Sequence, residues 1–288
     1  MIGFINVNKP QGISSAGVVG RIKHNFKLDK IGHMGTLDPL ACGVLPIAVG
    51  KATRLFDYFL NKQKTYIVEA EFGYETPSLD LGTEVEKNTT IIPSYKEICD
   101  TTSKFLGVIK QLPPIYSAKN INGEKAYNLA RKGQNVQLKP VDVEIFKFEC
   151  LEDLGENKFK FLIECSSGTY VRSLIRDLAY NLNSLATVTF LQRAKTGAFD
   201  INNSVNLDDL LKSNINDYIV PIEKVFSNYK IIDVNETDFF KLKNGLTIDS
   251  GVDDKNIFIR YKTSILGVAD TINGKLKLKT YLYDEEDI

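Results

Sequence analysis

Residues 32–46 read G-H-M-G-T-L-D-P-L-A-C-G-V-L-P and place a single carboxylate, Asp38, among three glycines. Glycine lets the backbone turn with positive φ or approach a ligand closely, and Pro39 biases Asp38 away from the helical conformation. A segment buried in the core would not need three glycines with a charged residue among them. The pattern therefore predicts a rigid loop that presents Asp38 outward, which is how functional carboxylates are commonly mounted.

The composition limits the classes of protein to which the chain can belong. With 288 residues, 43% of them apolar, it can bury one substantial core and a smaller second one. The four cysteines form no C-x-x-C pair and there are only two histidines, so no cluster of metal ligands is expected. No segment resembles a signal peptide or reaches the roughly 18 apolar residues of a membrane span. These features predict a cytoplasmic protein without membrane contact.

Charge is balanced over the whole chain but unevenly distributed. Residues 1–60 carry seven Lys or Arg against three Asp, a net charge of +4, and residues 119–139, which include Arg131, also carry +4. Acidic residues collect in residues 75–100 and in the last five positions, 284–288. Such segregation can create a basic face that attracts phosphate, although ordinary solvated surfaces would give the same counts.

Periodicity predicts an alternation of helices and strands over the first three quarters of the chain. Ser14 or Ser15 can cap a first helix, and a short helix is expected near residues 55–60. The run Lys64–Phe72 is rich in β-forming residues and places Tyr66 near the start of a strand. A further helix is predicted over residues 95–106.

A strand over residues 159–165 leads through Gly168 into a helix with an apolar stripe. Arg172 lies in the first turn of that helix, off the stripe. A cation there opposes the helix dipole at a cost of about 0.3–1 kcal/mol unless an anion compensates. Arg172 is therefore predicted to pair with a carboxylate or a phosphate.

Residues 229–288 differ in pattern from the rest of the chain. They contain short β-like runs separated by turn signals, which are Asn244 with Gly245, Gly267, and Asn273 with Gly274. We therefore predict an α+β protein of two domains, a larger one over residues 1–228 and a small β-rich one over residues 229–288.

Several familiar sites are excluded by simple mismatches. Residues 45–53 do not form a phosphate loop, because Leu45 stands where the motif needs glycine and Ala52 where it needs a hydroxyl. No G-x-S-x-G motif occurs either. A glycosidase needs two cooperating carboxylates, whereas the Asp38 loop offers one. One aspartate with aromatic and arginine helpers suits chemistry at a sugar carbon next to a stacked base. His33 could then fill the gap that a flipped base leaves.

Further distinctive segments lie before and after this loop in the sequence. They read N-K-P-Q-G-I-S-S at residues 8–15, K-T-Y at 64–66, P-P-I-Y-S-A and N-G-E-K-A-Y at 113–118 and 122–127, C-S-S-G-T-Y-V-R-S-L-I-R-D-L at 165–178, and F-L-Q-R-A-K-T-G-A-F at 190–199. Together with the Asp38 loop, they resemble the signature motifs of the TruB family of tRNA pseudouridine synthases. That family isomerises uridine 55 in the T loop of tRNA.

The resemblance implies a role for individual residues. Asp38 corresponds to the catalytic aspartate, and Arg172 to its ion-pair partner. Tyr66 corresponds to the ring that packs on the target uracil, with a further part in removing the proton from its C5. Substrate-binding positions are implied for His33, Tyr170, Leu191 and Lys9. Lys9 either supports the loop or contacts phosphate, and an exposed surface lysine is the alternative.

The resemblance also implies an architecture and a partner. The fold would be a pseudouridine synthase-like catalytic domain, with a central mixed or antiparallel sheet flanked by helices, followed by a small PUA-like RNA-binding domain. The partner would be the T stem-loop of tRNA, and the sequence gives no reason to expect more than a monomer. No metal, nucleotide or redox cofactor is expected, because bond breaking and bond making balance.

Two other classes of protein stay open at this point. A tRNA-binding or RNA-folding factor without catalysis would keep a basic face but have no need to pair Asp38 with Arg172. A nucleoside or glycoside hydrolase would want a second carboxylate near Asp38. Within the synthase interpretation, direct attack of Asp38 on C1′ and a glycal route are both compatible with the sequence.

Overall fold

The computed structural model describes residues 1–60, 62–117, 119–121, 123–126, 129, 132, 138–251 and 253–283. Arg131 of the basic segment and the acidic positions 284–288 lie outside these residues. The helices are α1 (Ser15–Phe26), α2 (Phe56–Leu60), α3 (Tyr95–Thr102), α4 (Val171–Asn181), α5 (Leu207–Leu211), α6 (Ile222–Val225) and α7 (Glu236–Lys243). None of the helices in the described ranges is long and apolar enough to cross a membrane.

The strands fall into two groups along the chain. The first group is β1 (Gly3–Lys9), β2 (Ile31–His33), β3 (Cys42–Val49), β4 (Lys64–Phe72), β5 (Tyr74–Glu75), β6 (Lys87–Asn88), β7 (Gly107–Gln111), β8 (Asn120–Ile121), β9 (Glu124–Lys125), β10 (Val141–Gly155), β11 (Lys158–Cys165), β12 (Ala186–Thr196), β13 (Phe199–Asp200) and β14 (Val205–Asn206). The second group is β15 (Ile231–Asp233), β16 (Ile248–Asp249), β17 (Ile257–Tyr261), β18 (Ser264–Ile272) and β19 (Lys275–Tyr281).

The larger sheet runs in the order β14-β1-β3-β12-β4-β11-β10-β7, with β2 paired to β3 and β13 paired to β12. Strand β14 is parallel to β1, and β12 is parallel to β3, whereas the other pairs are antiparallel. The sheet is therefore mixed, and helices α1 and α4 pack on it through the main apolar cluster. The predicted α+β class with a mixed sheet is confirmed.

The predicted helices and the central strand match the structure closely. Ser14 caps α1 by accepting a hydrogen bond from the Gly17 amide, as its sequence position predicts. Strand β4 has the predicted bounds, and its alternate residues from Tyr66 onward are buried. The helix predicted over residues 95–106 ends earlier, because the α-helix stops at Thr102 and a 3-10 turn continues over Ser103–Phe105.

The second sheet has the order β15-β17-β18-β19-β16, and α7 packs on it in a separate apolar cluster. An aromatic cluster joins this sheet to the first part of the chain, since the ring of Phe226 lies 5.9 Å from Phe4 and 5.0 Å from Phe258. Arg54 also donates to the carbonyl of Tyr281 at 2.7 Å. The two sheets are thus packed against each other through side chains.

One of the predicted turns is wrong. Asn273 and Gly274 form the tight turn between β18 and β19, with φ angles of 51° and 70°, and Gly245 ends α7 with φ of 75°. Gly267, however, lies inside β18. A Cβ atom there would stand 1.9 Å from the carbonyl oxygen of Thr280, so glycine serves close strand approach at this position.

Replacing Gly267 with alanine should therefore lower the free energy of unfolding by about 1–3 kcal/mol, as overpacking against backbone usually does. Urea unfolding of Gly267→Ala against the wild type measures this change. Gly251→Ala is the matched control, since its Cβ would meet no atom within 4 Å. Equal stability of the two variants would contradict the explanation for Gly267.

Candidate active site

The Asp38 loop connects β2 to β3 and is fixed at several points. The Ser15 hydroxyl, at the start of α1, donates to the carbonyl of Leu37 at 2.9 Å and accepts from its amide at 2.8 Å. The Gly12 amide donates to the carbonyl of Pro39 at 2.8 Å. The Asp38 side chain, between these contacts, remains 35% exposed. The predicted loop with an outward carboxylate is therefore present.

Lys9 supports this loop from beneath. Its side chain is fully buried at the end of β1, and its ammonium donates to the carbonyls of Pro10 (2.9 Å), Ile13 (2.7 Å) and Pro39 (3.2 Å). These three acceptors use all three ammonium hydrogens. The interpretation of Lys9 as an exposed surface lysine is wrong, because the turn after β1 encloses it.

Burial lowers the pKa of Lys9 from 10.5 to about 8. Between these values the unfolded chain holds a proton that the folded protein has released, so the stability contributed by Lys9 rises with pH. The free energy of unfolding of the wild type minus that of Lys9→Met should accordingly increase from pH 8 toward pH 10. Urea titrations at several pH values measure this difference, and a flat or falling difference would contradict it.

Arg172 lies under Asp38 at the start of α4 and is buried. Its Nη2 stands 2.7 Å from Asp38 Oδ2 and 2.9 Å from the carbonyl of Tyr116, to which it donates. Its Nη1 stands 3.2 Å from Asp80 Oδ2 and donates to the carbonyl of Ser78 at 2.6 Å. Arg172 was predicted to pair with an anion because it lies in the first turn of a helix. Two carboxylates, those of Asp38 and Asp80, provide that anion.

Asp80 was missed by the sequence analysis. It lies in the turn after β5, and its Oδ1 accepts from the Ser78 hydroxyl at 2.6 Å and the Gly82 amide at 2.9 Å. The argument from a single carboxylate at this site is therefore wrong. Because donors hold both oxygens of Asp80, the arrangement suits a fixed anionic anchor for Arg172 better than a general acid.

A cavity of about 110 Å³ opens beside these groups, several times the roughly 10–15 Å³ that one water molecule requires. Its polar lining consists of Asp38, Asp80 and Arg172 together with Gln11 and Thr189. Its apolar wall includes the following side chains: Leu40, Leu81, Phe190 and Leu191. Among the predicted site residues, Asp38, Arg172 and Leu191 line the cavity directly.

Tyr66 lies on β4 and is not among the residues that line the cavity, but it is close enough to Asp38 for that carboxylate to affect its pKa. Burial raises the pKa of its phenol to about 12. Arg193, on the neighbouring β12, is paired with Tyr66 across the sheet and completely enclosed. A phenol in this environment stays protonated at neutral pH.

Arg193 was not among the predicted site residues, although it fixes the Asp38 loop. Its Nε donates to the carbonyl of Val44 at 2.7 Å, and its Nη2 donates to the carbonyl of Gly35 at 3.1 Å. Burial lowers its pKa, and no ion pair with a carboxylate is found for it within the described part of the chain. The sequence signal for it was its place in the motif over residues 190–199, which gives no role to Arg193 itself.

The remaining two predicted residues flank the loop. His33 ends β2, and its Nδ1 is buried without a hydrogen-bond partner among the residues that the structure describes. Burial lowers the pKa of its imidazole, which favours the neutral form.

Tyr170 precedes α4 and is held there by the side chain of Gln111. The Tyr170 amide donates to Gln111 Oε1 at 2.8 Å, and Gln111 Nε2 donates to the Tyr170 carbonyl at 3.1 Å. Burial raises the pKa of the Tyr170 phenol, and Asp38 adds to the rise.

The chemistry that this arrangement offers is electrostatic and nucleophilic. A carboxylate held by a buried guanidinium faces a small, partly apolar cavity, so it can attack or stabilise an electron-poor carbon beside a flat ring. Within the described ranges, no three His, Cys, Asp or Glu side chains come together as metal ligands.

Comparisons with known proteins agree with this geometry. The model of the family described as "TruB family pseudouridylate synthase (N terminal domain)" matches residues 23–171. The "tRNA pseudouridine synthase B" of Clostridium tetani is 40% identical over 265 residues, which cover 92% of this chain and 90% of that protein. The protein of the same name from Lactobacillus acidophilus is 37% identical over 284 residues, 95% of each chain.

A solved structure, described as "Crystal Structure of a Cbf5-Nop10-Gar1 Complex", superposes with a TM-score of 0.75. The match covers 99% of this chain and 86% of that one at 22% identity, so it supports the fold alone. The family model and the two bacterial relatives carry the assignment, and by them this chain belongs to the TruB family of pseudouridylate synthases.

Proposed function

We propose that the protein isomerises uridine 55 in the T loop of tRNA to pseudouridine, with Asp38 as the catalytic residue. The observation that carries the proposal is the 2.7 Å ion pair between Asp38 and Arg172, both of which line the cavity. The relatives named tRNA pseudouridine synthase B support tRNA as the substrate. A tRNA-binding factor without catalysis would have no use for this pair.

In the proposed reaction the target uridine leaves its stack and enters the cavity. Asp38 promotes cleavage of the bond between C1′ and N1, either by attack on C1′ or by assisting formation of a glycal. The detached uracil rotates, its C5 bonds to C1′, and loss of the C5 proton restores the aromatic ring. One C–N bond breaks and one C–C bond forms, with a proton moved from C5 to N1, so the reaction needs no redox partner.

The other site residues support this reaction by position. Arg172 would orient Asp38 through the ion pair, and Arg193 and Lys9 would fix the loop that carries Asp38. Because its phenol has a pKa of about 12, Tyr66 suits packing on the uracil better than proton removal from C5. Leu191 would contact the flipped base from the apolar wall.

His33 and Tyr170 would act on the substrate from either side of the loop. A neutral imidazole with one unsatisfied nitrogen suits His33 for filling the space of the flipped base and bonding its neighbours. Tyr170 would line the uridine pocket, since its half-buried ring lies close enough to Asp38 for the two to interact. Both roles require the T stem-loop to dock over the loop between β2 and β3.

We further propose that residues 1–228 form the catalytic domain and residues 229–288 a PUA-like RNA-binding domain. The separate apolar cluster of the second sheet supports this boundary. The basic segments would attract the phosphates of the T stem-loop. A cytoplasmic location and a monomeric state stay predictions.

Tritium release from tRNA transcripts labelled at C5 of uridine tests the proposal. The wild-type protein should release one equivalent per tRNA, and a transcript with cytidine at position 55 should release none. A short RNA that contains only the T stem and loop should also be a substrate. Binding without release on any tRNA would contradict catalysis and favour an RNA-folding factor.

A further inference from the structure

A lysine from the first part of the chain lies on the aromatic cluster that joins the two sheets. Lys62 is located just before β4, and its Nζ stands 4.7 Å from the ring centroid of Tyr229 and 5.5 Å from that of Phe226. These two rings in turn contact Phe258 of β17, with centroids 5.5 Å and 5.0 Å away. Lys62 is therefore connected to the second sheet through the rings that follow α6.

The contact between Lys62 and these rings is a cation–π interaction. The face of an aromatic ring carries partial negative charge that attracts an ammonium, and the attraction grows where water is excluded. Lys62 is half-buried, and burial lowers its pKa. Among the residues that the structure describes, no carboxylate pairs with Lys62, so the rings are the groups that hold its charge in place.

Lys62 is also attached to the segments that carry the site residues. Its carbonyl accepts from the Ser167 hydroxyl at 3.3 Å, in the turn that leads to Tyr170. Its side chain packs on Gly197, since a Cβ atom there would stand 3.1 Å from Lys62 Cγ. Gly197 directly follows β12, the strand that contains Arg193. One residue thus contacts the interdomain rings and two segments that reach the active site.

We propose that Lys62 is a positioning residue that holds the second sheet at a fixed orientation to the active-site cavity. The inference rests on the proposed function, because this orientation matters only for an RNA that contacts residues 229–288 and the cavity together. With the contact present, docking of such an RNA does not have to restrain the second sheet, which favours binding. Lys62 should therefore favour full-length tRNA over an RNA confined to the T stem and loop.

Pseudouridine formation on full-length tRNA and on an isolated T stem-loop RNA tests this role. Lys62→Met keeps an unbranched side chain and the backbone contacts but removes the charge. Its kcat/KM on full-length tRNA should fall about fivefold, mainly through KM, which is the size that one cation–π contact allows. On the stem-loop RNA the change should stay below about twofold, because that RNA does not use the orientation of the second sheet. A folding defect would lower both values together.

Three further variants are compared on the same two RNAs. Lys224→Met removes an exposed lysine from α6 and should react as the wild type does. Lys62→Arg keeps a cation that can lie over the rings, so it should retain most of the preference for full-length tRNA. In a protein that already carries Tyr229→Leu, Lys62→Met should cause a smaller further loss than it does in the wild type.

Hydrogen exchange measures the contact in the absence of RNA. The Tyr229 amide donates to the carbonyl of Phe226 at 2.9 Å, and the Phe258 amide donates to that of Lys230 at 2.9 Å. Both amides should exchange faster in Lys62→Met than in the wild type or in Lys224→Met, because the rings beside them are held less firmly.

Three results would overturn the inference. They are unchanged exchange of these amides in Lys62→Met, equal losses of activity with both RNAs, and no loss with full-length tRNA. A wild-type protein that reacts with neither RNA would count against the proposed function instead, and hydrogen exchange would still test the contact of Lys62 with the rings.

Discussion

Replacing Asp38 with asparagine should reduce turnover by at least about 10⁴-fold, the size of effect seen when an essential catalytic group is removed. An amide can neither attack C1′ nor stabilise positive charge there. The fold should persist, because Asp80 still pairs with Arg172 and the Asp38 side chain is partly exposed. RNA affinity should change little, since the carboxylate acts on the reacting carbon and not on the docked stem.

Single-turnover tritium release and RNA titration of Asp38→Asn separate these two effects. The matched control is Asp57→Asn, which changes an exposed aspartate on α2 and should keep wild-type turnover. Retention of more than a few per cent of activity by Asp38→Asn would exclude Asp38 as the catalytic residue. Parallel loss of RNA binding would indicate a docking role instead.

Replacing Arg172 with methionine should have the second largest effect. The variant leaves the carboxylates of Asp38 and Asp80 facing each other without a cation, and it leaves the carbonyls of Ser78 and Tyr116 without a donor. Removing one partner of a buried ion pair typically costs about 3–5 kcal/mol of stability. Turnover should fall at least about 100-fold, because Asp38 loses the contact that orients it.

Two further variants distinguish a positioning role of Arg172 from a purely structural one. Arg172→Lys keeps the charge, but one ammonium cannot serve two carboxylates and two carbonyls, so turnover should stay low while stability partly recovers. Adding Asp80→Asn to Arg172→Met removes the repulsion and should restore some stability without turnover. Denaturant unfolding and single-turnover rates measure both. Recovery of turnover in proportion to stability would contradict a positioning role.

Much of the site could be predicted because the signals are local. Glycines and a proline around Asp38 predict an exposed loop, and an arginine in the first turn of a helix predicts a nearby anion. The β-forming residues in the run Lys64–Phe72 predict the strand that buries Tyr66. In each case the residues that set the local backbone are within a few positions of the functional one.

The parts that could not be predicted depend on contacts between distant segments. Asp80 reaches Arg172 across more than ninety positions, and Arg193 reaches Gly35 across more than one hundred and fifty. No local pattern marks Asp80, and the motif over residues 190–199 contains Arg193 without indicating which distant loop it contacts. Gly267 shows the same limit, because the carbonyl that excludes a side chain there belongs to the adjacent strand and not to a turn.

A crystal structure of Asp38→Asn with a T stem-loop RNA tests the central claim most directly. The account predicts that the target uridine is unstacked and lies in the cavity beside Arg172 and Leu191, with its C1′ about 3–3.5 Å from the side chain at position 38. A uridine that remains stacked within its loop, or a T loop docked where the side chain at position 38 does not face the ribose, would contradict it.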